Sequence, residues 1–186
     1  MNIIDHHKQI IRTEQLAQRR ANKQSEYDIA NKQIVQNLSK ILINNNFTIL
    51  GLYLPMNGEP DIFKNFVKTG KIITLPKIIA NNIIFVEYQS GDLLEQSSFA
   101  ELKQPQSTQR IIPEIIVMPG LAFSVKGDRL GFGYGYYDKY LYKMRKFCQP
   151  TVIGVCFHEN LKLFLPNNQY DQKMNYIVTD QIILKI

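Results

Sequence analysis

Apolar and polar positions follow two different periods along the chain, and the change between them marks the predicted elements. Near the N-terminus, apolar residues recur every three or four positions, first over residues 3–20 and again over residues 27–41. This spacing predicts two amphipathic helices, because residues three and four apart share one face of a helix. Short runs rich in Val, Ile and Phe follow and predict buried strands. These runs are residues 47–54, 71–75, 83–88, 114–118, 151–157, 177–179 and 182–184.

Two further helices are predicted between the strands. Pro60 suits the first turn of a helix that Gly70 ends. A stripe of tyrosine and leucine over residues 136–144 predicts the other. Strands that alternate with helices indicate an α/β protein, and we expect a single-domain layered fold over residues 1–186. Its central sheet should be mostly parallel and flanked by helices.

Proline and polar residues set two expected boundaries. Pro76 should end the strand at residues 71–75, because proline cannot donate a hydrogen bond to a neighbouring strand. Residues 89–113 are polar and predict a long loop, with room for a short helix.

Composition narrows the class of protein. A chain of 186 residues, 45% of them hydrophobic, fits one globular domain. It has no run of about 18 apolar residues, so no membrane span is expected. The first residues lack the charged and then apolar pattern of a secretory signal, which favours the cytoplasm.

The net charge of +6 allows two kinds of anionic partner. Basic proteins attract nucleic acid, and they also attract small anions such as nucleotides and polycarboxylates. The lysines and arginines are scattered and form no dense block, so they indicate a solvated surface or a small ligand. We expect no nucleic-acid partner.

The most informative segment is a glycine-rich loop between a predicted strand and a predicted helix. Gly131, Gly133 and Gly135 alternate there, and glycine lets backbone N–H groups approach phosphate oxygens. Arg129 offers a cationic fork for phosphate, and Asp138 offers a hard oxygen for Mg²⁺. Together they predict a nucleoside triphosphate site.

Simpler explanations exist for this loop. The spacing matches neither the dinucleotide fingerprint nor the P-loop, so the glycines could be required only by turns. Asp138 could interact only with the dipole of the helix that follows.

In this loop and in several other blocks, the chain resembles the 5-formyltetrahydrofolate cyclo-ligases, also called methenyltetrahydrofolate synthetases. The resemblance covers nearly the whole chain and includes Lys8 and Arg12 near the N-terminus. One departure is Tyr134, where the family pattern has glycine or a basic residue. The matching blocks are Leu52-Tyr-Leu-Pro-Met-Asn-Gly-Glu59, Leu75-Pro-Lys77, Pro119-Gly-Leu-Ala-Phe123, Gly127-Asp-Arg-Leu-Gly131, Gly135-Tyr-Tyr-Asp-Lys-Tyr-Leu141 and Asn168-Gln-Tyr-Asp171.

The resemblance implies ATP-dependent closure of 5-formyltetrahydrofolate to 5,10-methenyltetrahydrofolate through phosphorylation of the formyl oxygen, with Mg²⁺ as cofactor. Arg129 is then catalytic, and Asp138 and Asp171 bind Mg²⁺. The residues expected to bind ATP are Lys8, Arg12, Arg129, Leu130, Gly131, Phe132, Gly133, Tyr134, Gly135, Tyr136 and Tyr137. Those expected to bind the folate are Arg12, Leu54, Glu59, Phe132, Gly133, Tyr134, Gly135 and Tyr136.

Several of these roles have simpler alternatives. Lys8 and Arg12 are four residues apart and could form a solvated basic face. Glu59, next to Pro60, could be a charge at a helix N-terminus, and Asp171 could be an ordinary loop residue. Lys77, like Lys8 and Arg12, is a candidate to neutralise phosphate or folate carboxylates.

Two other functions stay open at this stage. One is a nucleotide-binding regulator that has the same fold but no catalysis, and the other is a basic nucleic-acid-binding protein. Glu59, Arg129 and Asp138 together favour the enzyme, because a pure binder need not keep both folate and metal residues. We expect a monomeric, cytoplasmic enzyme without a membrane partner.

Overall fold

The computed structural model describes residues 3–21, 24–56, 58–97 and 102–186 of the chain. Its helices are α1 (Ile3–Ala21), α2 (Gln24–Ile43), α3 (Phe63–Phe66) and α4 (Tyr136–Met144). Its strands are β1 (Ile49–Gly51), β2 (Ile72–Ile79), β3 (Asn82–Glu87), β4 (Leu94–Gln96), β5 (Lys103–Pro105), β6 (Ile115–Pro119), β7 (Ala122–Ser124), β8 (Arg129–Leu130), β9 (Thr151–Val155), β10 (Leu161–Lys162), β11 (Tyr176–Val178) and β12 (Ile183–Lys185). None of the described helices is both long and apolar enough to cross a membrane.

The predicted α/β fold with a mostly parallel sheet is confirmed. Within the described residues, seven strands form one sheet in the order β12-β11-β9-β6-β1-β2-β3. The strands from β2 to β11 run parallel to their neighbours, and β3 and β12 are antiparallel edges. Strands β6 and β9 are buried almost throughout, as expected for parallel strands covered on both faces.

Helices cover this sheet on both faces. Ile115 and Val117 of β6 lie in the hydrophobic cluster that contains the apolar face of α2. Ile116 and Met118 lie in the cluster that contains α4. Because successive side chains of a strand point to opposite faces, α2 and α4 are on opposite sides of the sheet. This layering leaves the carboxyl ends of β1, β6 and β9 at one edge of the sheet.

A second, smaller sheet was not predicted from the sequence. Strands β10, β7 and β8 form it, next to the carboxyl end of β6. The β7–β8 turn contains Gly127 at a φ of +82°, and the buried Asp128 carboxylate accepts hydrogen bonds from Ser124, Asn167 and Lys173. Strands of two or three residues carry too little alternation to be recognised in a sequence.

The predicted end of β2 at Pro76 is wrong. β2 continues to Ile79, pairing with β3 on one side. Thr74 accepts a bond from Leu52 on the other side, and the Ile78 N–H donates to the Gln104 side chain. Positions 74, 76 and 78 therefore direct their backbone groups away from β3. Since β1 ends at residue 51, the missing N–H of Pro76 removes no bond between strands.

Two other predicted segments also differ from the structure. The helix expected to start at Pro60 is only α3, which begins at Phe63. The loop predicted at residues 89–113 contains the β4–β5 hairpin, and its described part has no helix. Residues 98–101 of that loop lie outside the described part of the chain.

Candidate active site

A cavity of about 550 Å³ lies at the carboxyl edge of the main sheet. The residues that the sequence assigned to ATP, folate or metal line it, with the exception of the candidate Lys77. These residues come from α1, from the segments after β1 and β8, from the start of α4 and from the loop before β11. The carboxyl ends of parallel strands are where open α/β sheets bind their ligands. The structure thus gathers distant parts of the sequence around one space.

The glycine-rich loop has a shape that other residues would disturb. Gly133 and Gly135 have φ angles of 107° and 67°, which L side chains rarely adopt. A Cβ on Gly131 would lie 2.7 Å from Nη1 of Arg129. Turn geometry therefore explains two of the glycines, and the third lies close to the guanidinium of Arg129.

The start of α4 faces this cavity. Gly135 is the N-cap residue and supplies no side-chain hydrogen bond to the helix. The first N–H groups of a helix have no acceptor within it, so they can bind an anion. Gly135, Tyr136 and Tyr137 line the cavity at this point.

Two cations of α1, Lys8 and Arg12, also line the cavity. The Arg12 Nε donates to the Gly131 carbonyl at 2.9 Å, which ties α1 to the glycine-rich loop. Burial lowers the pKa of Arg12, while the charges of Asp5 and Asp171 raise it. The Lys8 ammonium is nearly buried and lies 2.5 Å from Oδ2 of Asp171. Neither side chain belongs to a fully solvated basic face, which was the simpler alternative for them.

Arg129 and Asp138 form a partly buried ion pair. Nη2 of Arg129 lies 2.9 Å from Oδ2 of Asp138, and the guanidinium lies over the Tyr137 ring, 5.2 Å from its centroid. The other Asp138 oxygen, Oδ1, accepts a hydrogen bond from the Gln172 N–H at 3.1 Å. The Nε of Arg129 is buried and has no hydrogen-bond partner in the protein. The pair thus presents an arginine with spare donor capacity beside the glycine-rich loop.

The carboxylates of Asp138 and Asp171 fit Mg²⁺ only if a phosphate supplies further oxygens. Asp171 already accepts from Lys8 and from the Asn168 N–H at 2.7 Å. No group of three or more acidic, histidine or cysteine side chains among the described residues could hold a metal by itself. Mg²⁺ is commonly held by one or two carboxylates together with substrate phosphates and water. The donor set is compatible with that arrangement.

Glu59 is a buried carboxylate that also lines the cavity. Its Oε2 accepts a hydrogen bond from the Met56 N–H at 3.0 Å. Burial raises the pKa of Glu59 to about 7, although the Met56 bond and the charges of Arg19 and Arg129 oppose that rise. Since α3 begins at residue 63, Glu59 does not lie in a helical first turn. Asn57, which belongs to the same sequence block, lies outside the described residues.

Aromatic side chains form part of the cavity wall. Tyr134 and Tyr136 stack with centroids 5.8 Å apart and planes 7° apart, and Tyr134 is 57% exposed. Leu54 and Phe132 are half-buried and also line the cavity. Burial raises the pKa of the Tyr137 hydroxyl. The wall offers flat apolar surface on which a ring could pack.

One candidate, Lys77, lies outside the cavity, and one residue beside the site, Arg19, was not predicted. The Lys77 ammonium binds the carbonyls of Pro105 and Gln106 and the Glu95 carboxylate, and Lys77 is not among the residues that line the cavity. Arg19, which the sequence analysis did not consider, is buried beside Glu59. Its signal was its spacing from Arg12, because residues seven apart lie on one face of a helix.

Known proteins are similar to this chain in sequence and in fold. The profile of the 5-formyltetrahydrofolate cyclo-ligase family matches residues 4–180. The 5-formyltetrahydrofolate cyclo-ligase of Saccharomyces cerevisiae is 27% identical over 184 residues, covering 82% of this chain and 87% of the yeast protein. The mouse enzyme of the same name is 28% identical over 161 residues, covering 75% of this chain and 78% of its own length.

A solved structure agrees with these sequence matches. The 5,10-methenyltetrahydrofolate synthetase of Aquifex aeolicus superimposes with a TM-score of 0.82 and is 27% identical, covering 96% of this chain and 92% of that one. The family profile spans far more than half of the 186 residues. The chain therefore belongs to the 5-formyltetrahydrofolate cyclo-ligase family.

Proposed function

We propose that this protein converts 5-formyltetrahydrofolate to 5,10-methenyltetrahydrofolate, with ATP converted to ADP and phosphate and with Mg²⁺ as cofactor. Membership of the family supports the reaction. The observation that carries the proposal is the composition of one cavity, which is lined by arginines, by a glycine-rich loop and by the buried Glu59. A site for both a polyphosphate and a flat hydrogen-bonding ring system needs these two kinds of group.

The reaction has a specific chemical difficulty, because the formyl group is a poor electrophile and its oxygen a poor leaving group. Transfer of the γ-phosphoryl group of ATP to the formyl oxygen addresses both. N10 of the folate then attacks the activated carbon, its proton is lost, and the C–O bond breaks to release phosphate. Phosphoryl transfer depends mainly on alignment and on stabilisation of charge. The protein therefore needs cations and hydrogen-bond donors more than a nucleophile.

The arginines and the glycine-rich loop of the cavity supply these groups. Gly131, Gly133 and Gly135 can bring backbone N–H groups to phosphate oxygens. Arg12 lies against this loop through its bond to Gly131. Arg129, with its unpartnered buried Nε, is suited to bind the phosphoryl group in transfer. When bound, Mg²⁺ held by Asp138 and Asp171 would neutralise further phosphate charge.

The folate is proposed to bind next to Glu59. The pterin ring presents N–H and amino donors along one edge, and an ionised carboxylate accepts such donors without offering any of its own. Leu54, Phe132 and the stacked Tyr134 and Tyr136 would pack against the rings. We further propose that the enzyme is monomeric and cytoplasmic.

The decisive experiment measures product directly. The protein is mixed with 5-formyltetrahydrofolate, with Mg-ATP or with both, and the near-ultraviolet absorbance of the methenyl product is followed. We expect product only when both substrates and the divalent metal are present. Product formed at full rate without ATP, or with a chelator present, would exclude this mechanism. ATP binding without any product would instead favour the non-catalytic regulator.

Glu59→Gln should weaken folate binding about tenfold or more and leave ATP binding nearly unchanged. The amide keeps the shape of the side chain but adds a donor that opposes the pterin donors, and an unmatched polar group in a buried site costs about 1–3 kcal/mol. Dissociation constants for each ligand, measured by calorimetry, test this. Glu14→Gln, on the exposed face of α1, is the matched control. Equal loss of both ligands would indicate a folding role for Glu59.

Tyr134→Gly should leave a working enzyme. Position 134 departs from the family pattern, and its side chain is mostly exposed, so we expect turnover to persist. Stability should fall by up to about 1 kcal/mol, because glycine has more freedom in the unfolded chain. Turnover and thermal melting check both expectations, with Tyr134→Phe as the control that keeps the ring. A variant that folds and binds ATP but does not turn over would show that the tyrosine takes part in the chemistry.

A further inference from the structure

Arg19 is a buried arginine that joins three parts of the site. It belongs to α1, and one guanidinium nitrogen, Nη2, donates to the Gly120 carbonyl after β6. Its aliphatic stem lies against Gly58, where an added Cβ would be 3.1 Å from Cδ. Its Nη1 lies 4.0 Å from Oε1 of Glu59. Arg19 therefore connects the turn that carries Glu59 to the end of the central strand β6.

Glu59 is surrounded by groups from several elements. Arg19 approaches from α1 and Arg129 from β8, and both charges favour the ionised carboxylate. Tyr53, after β1, and Tyr137, in α4, have buried hydroxyl groups whose pKa values burial and the charge of Glu59 raise. Both tyrosines have raised pKa values and stay neutral at physiological pH. The cationic support of Glu59 thus comes from the two arginines.

The two arginines are not equally committed to Glu59. Arg129 pairs with Asp138 at 2.9 Å, so part of its charge is already compensated. Among the described residues, the carboxylate within ion-pair distance of Arg19 is that of Glu59. Nε and Nη1 of Arg19 are buried without hydrogen-bond partners in the protein. A buried guanidinium in this state is costly, and the charge of Glu59 compensates it.

We propose that Arg19 is a positioning residue for the folate site, which keeps the Glu59 carboxylate charged and fixes the turn that presents it. The inference rests on the proposed function, because it assigns folate binding to Glu59. Arg19 itself need not touch the substrate, since it does not line the cavity and acts through Glu59.

A pH dependence follows from the signs of these interactions. Burial raises the pKa of Glu59 to about 7, and Arg19 lowers it. Without Arg19 the pKa rises further, so at neutral pH the carboxyl becomes mostly protonated and presents an O–H donor to the pterin donors. Folate binding should then be weak at neutral pH and recover as the pH rises through the new pKa. In the unmodified protein the same recovery should lie near pH 7.

The test is the dissociation constant of 5-formyltetrahydrofolate in Arg19→Met, measured by calorimetry from about pH 6 to about pH 9. Methionine keeps an apolar stem against Gly58 but removes the charge. We expect binding at pH 7 to weaken about fivefold for a rise of one pKa unit, because half of the Glu59 carboxyls are ionised at a pKa of about 7 and about one tenth at one unit higher. Binding should approach that of the unmodified protein at the alkaline end. The dissociation constant for ATP should change less than about twofold.

Arg19→Lys is the matched variant that keeps a positive charge, and its pH profile should lie closer to that of the unmodified protein. The double variant Arg19→Met with Glu59→Gln should bind folate no more weakly than Glu59→Gln alone. If Arg19→Met does not fold, the double variant should fold better, because removal of both charges leaves no buried charge without a partner.

Two results would overturn the inference. One is a pH profile of Arg19→Met that runs parallel to that of the unmodified protein. The other is that Arg19→Met weakens folate binding by the same factor in the Glu59→Gln variant as in the unmodified protein. Both would mean that Arg19 only supports the fold. If the unmodified protein neither binds nor converts 5-formyltetrahydrofolate, the proposed function fails and this inference fails with it.

Discussion

Arg129→Ala is expected to lower turnover by about 10³-fold or more, because a guanidinium beside a transferring phosphoryl group stabilises the transition state by that order. In the structure, this side chain lies between the glycine-rich loop and Asp138, with a buried Nε that has no acceptor in the protein. A charge-stabilising role predicts that kcat falls far more than the KM for folate rises. Steady-state kinetics with each substrate varied in turn measures the two effects separately.

Two control variants sharpen this prediction. Arg129→Lys keeps the charge but loses the planar fork, so it should recover only part of the lost turnover. Arg110→Ala removes an exposed arginine outside the cavity and should leave turnover unchanged. Arg129 also favours the charged form of Glu59. Unchanged turnover with a raised KM for folate would therefore assign Arg129 to the folate instead of the phosphate.

Asp138→Asn is expected to lower turnover steeply and to raise the Mg²⁺ concentration needed for half-maximal activity. A neutral amide binds a hard dication far less well than a carboxylate. ATP should still bind, more weakly, because the donors of the Gly131–Gly135 loop are backbone groups. Activity should recover only in part at high Mg²⁺. Titration of Mg²⁺ against activity in both proteins measures the shift, with the exposed Asp28→Asn as control.

The ion pair with Arg129 offers a competing explanation that the same titration can separate. If Asp138 only orients Arg129, turnover falls but the half-saturating Mg²⁺ concentration stays the same. The helix-dipole alternative predicts the same unchanged value. A double variant with Arg129→Ala then measures how much of the Asp138 effect passes through the arginine. An unchanged Mg²⁺ dependence would exclude Asp138 as a metal ligand.

The sequence was sufficient for the fold class because its signals are local. Alternating helices and buried strands predict a parallel sheet, and strands such as β6 and β9 are mostly apolar and buried almost throughout. The glycine-rich loop comes after β8 of the smaller sheet, which was not predicted. The place of Glu59 at the cavity does follow from topology, since Glu59 comes after β1, whose carboxyl end lies at the ligand-binding edge of the main sheet. These features depend on neighbouring residues and on general rules of chain connection.

What the sequence could not provide are interactions between distant residues. Nothing in the pattern pairs Lys8 with Asp171 or directs Lys77 to Glu95. The same is true of Arg19, whose role depends on the burial of Glu59. The end of β2 could not be predicted from Pro76, because the effect of a proline depends on whether a neighbouring strand extends that far. Only the register shows this. Burial and register are tertiary properties, and no window of sequence contains them.

The contact between Lys8 and Asp171 has a consequence for how the protein is made. The two residues are 163 positions apart in the chain, and contacts over such separations form late because they require closure of a long loop. During synthesis, α1 leaves the ribosome before residue 171 and lacks this partner until that residue has emerged. The sheet can begin to assemble earlier, as N-terminal parts fold first. The part of the cavity that Lys8 and Asp171 line is therefore expected to be completed late. If this part holds ATP as proposed, a nascent chain should bind ATP only after residue 171 is released.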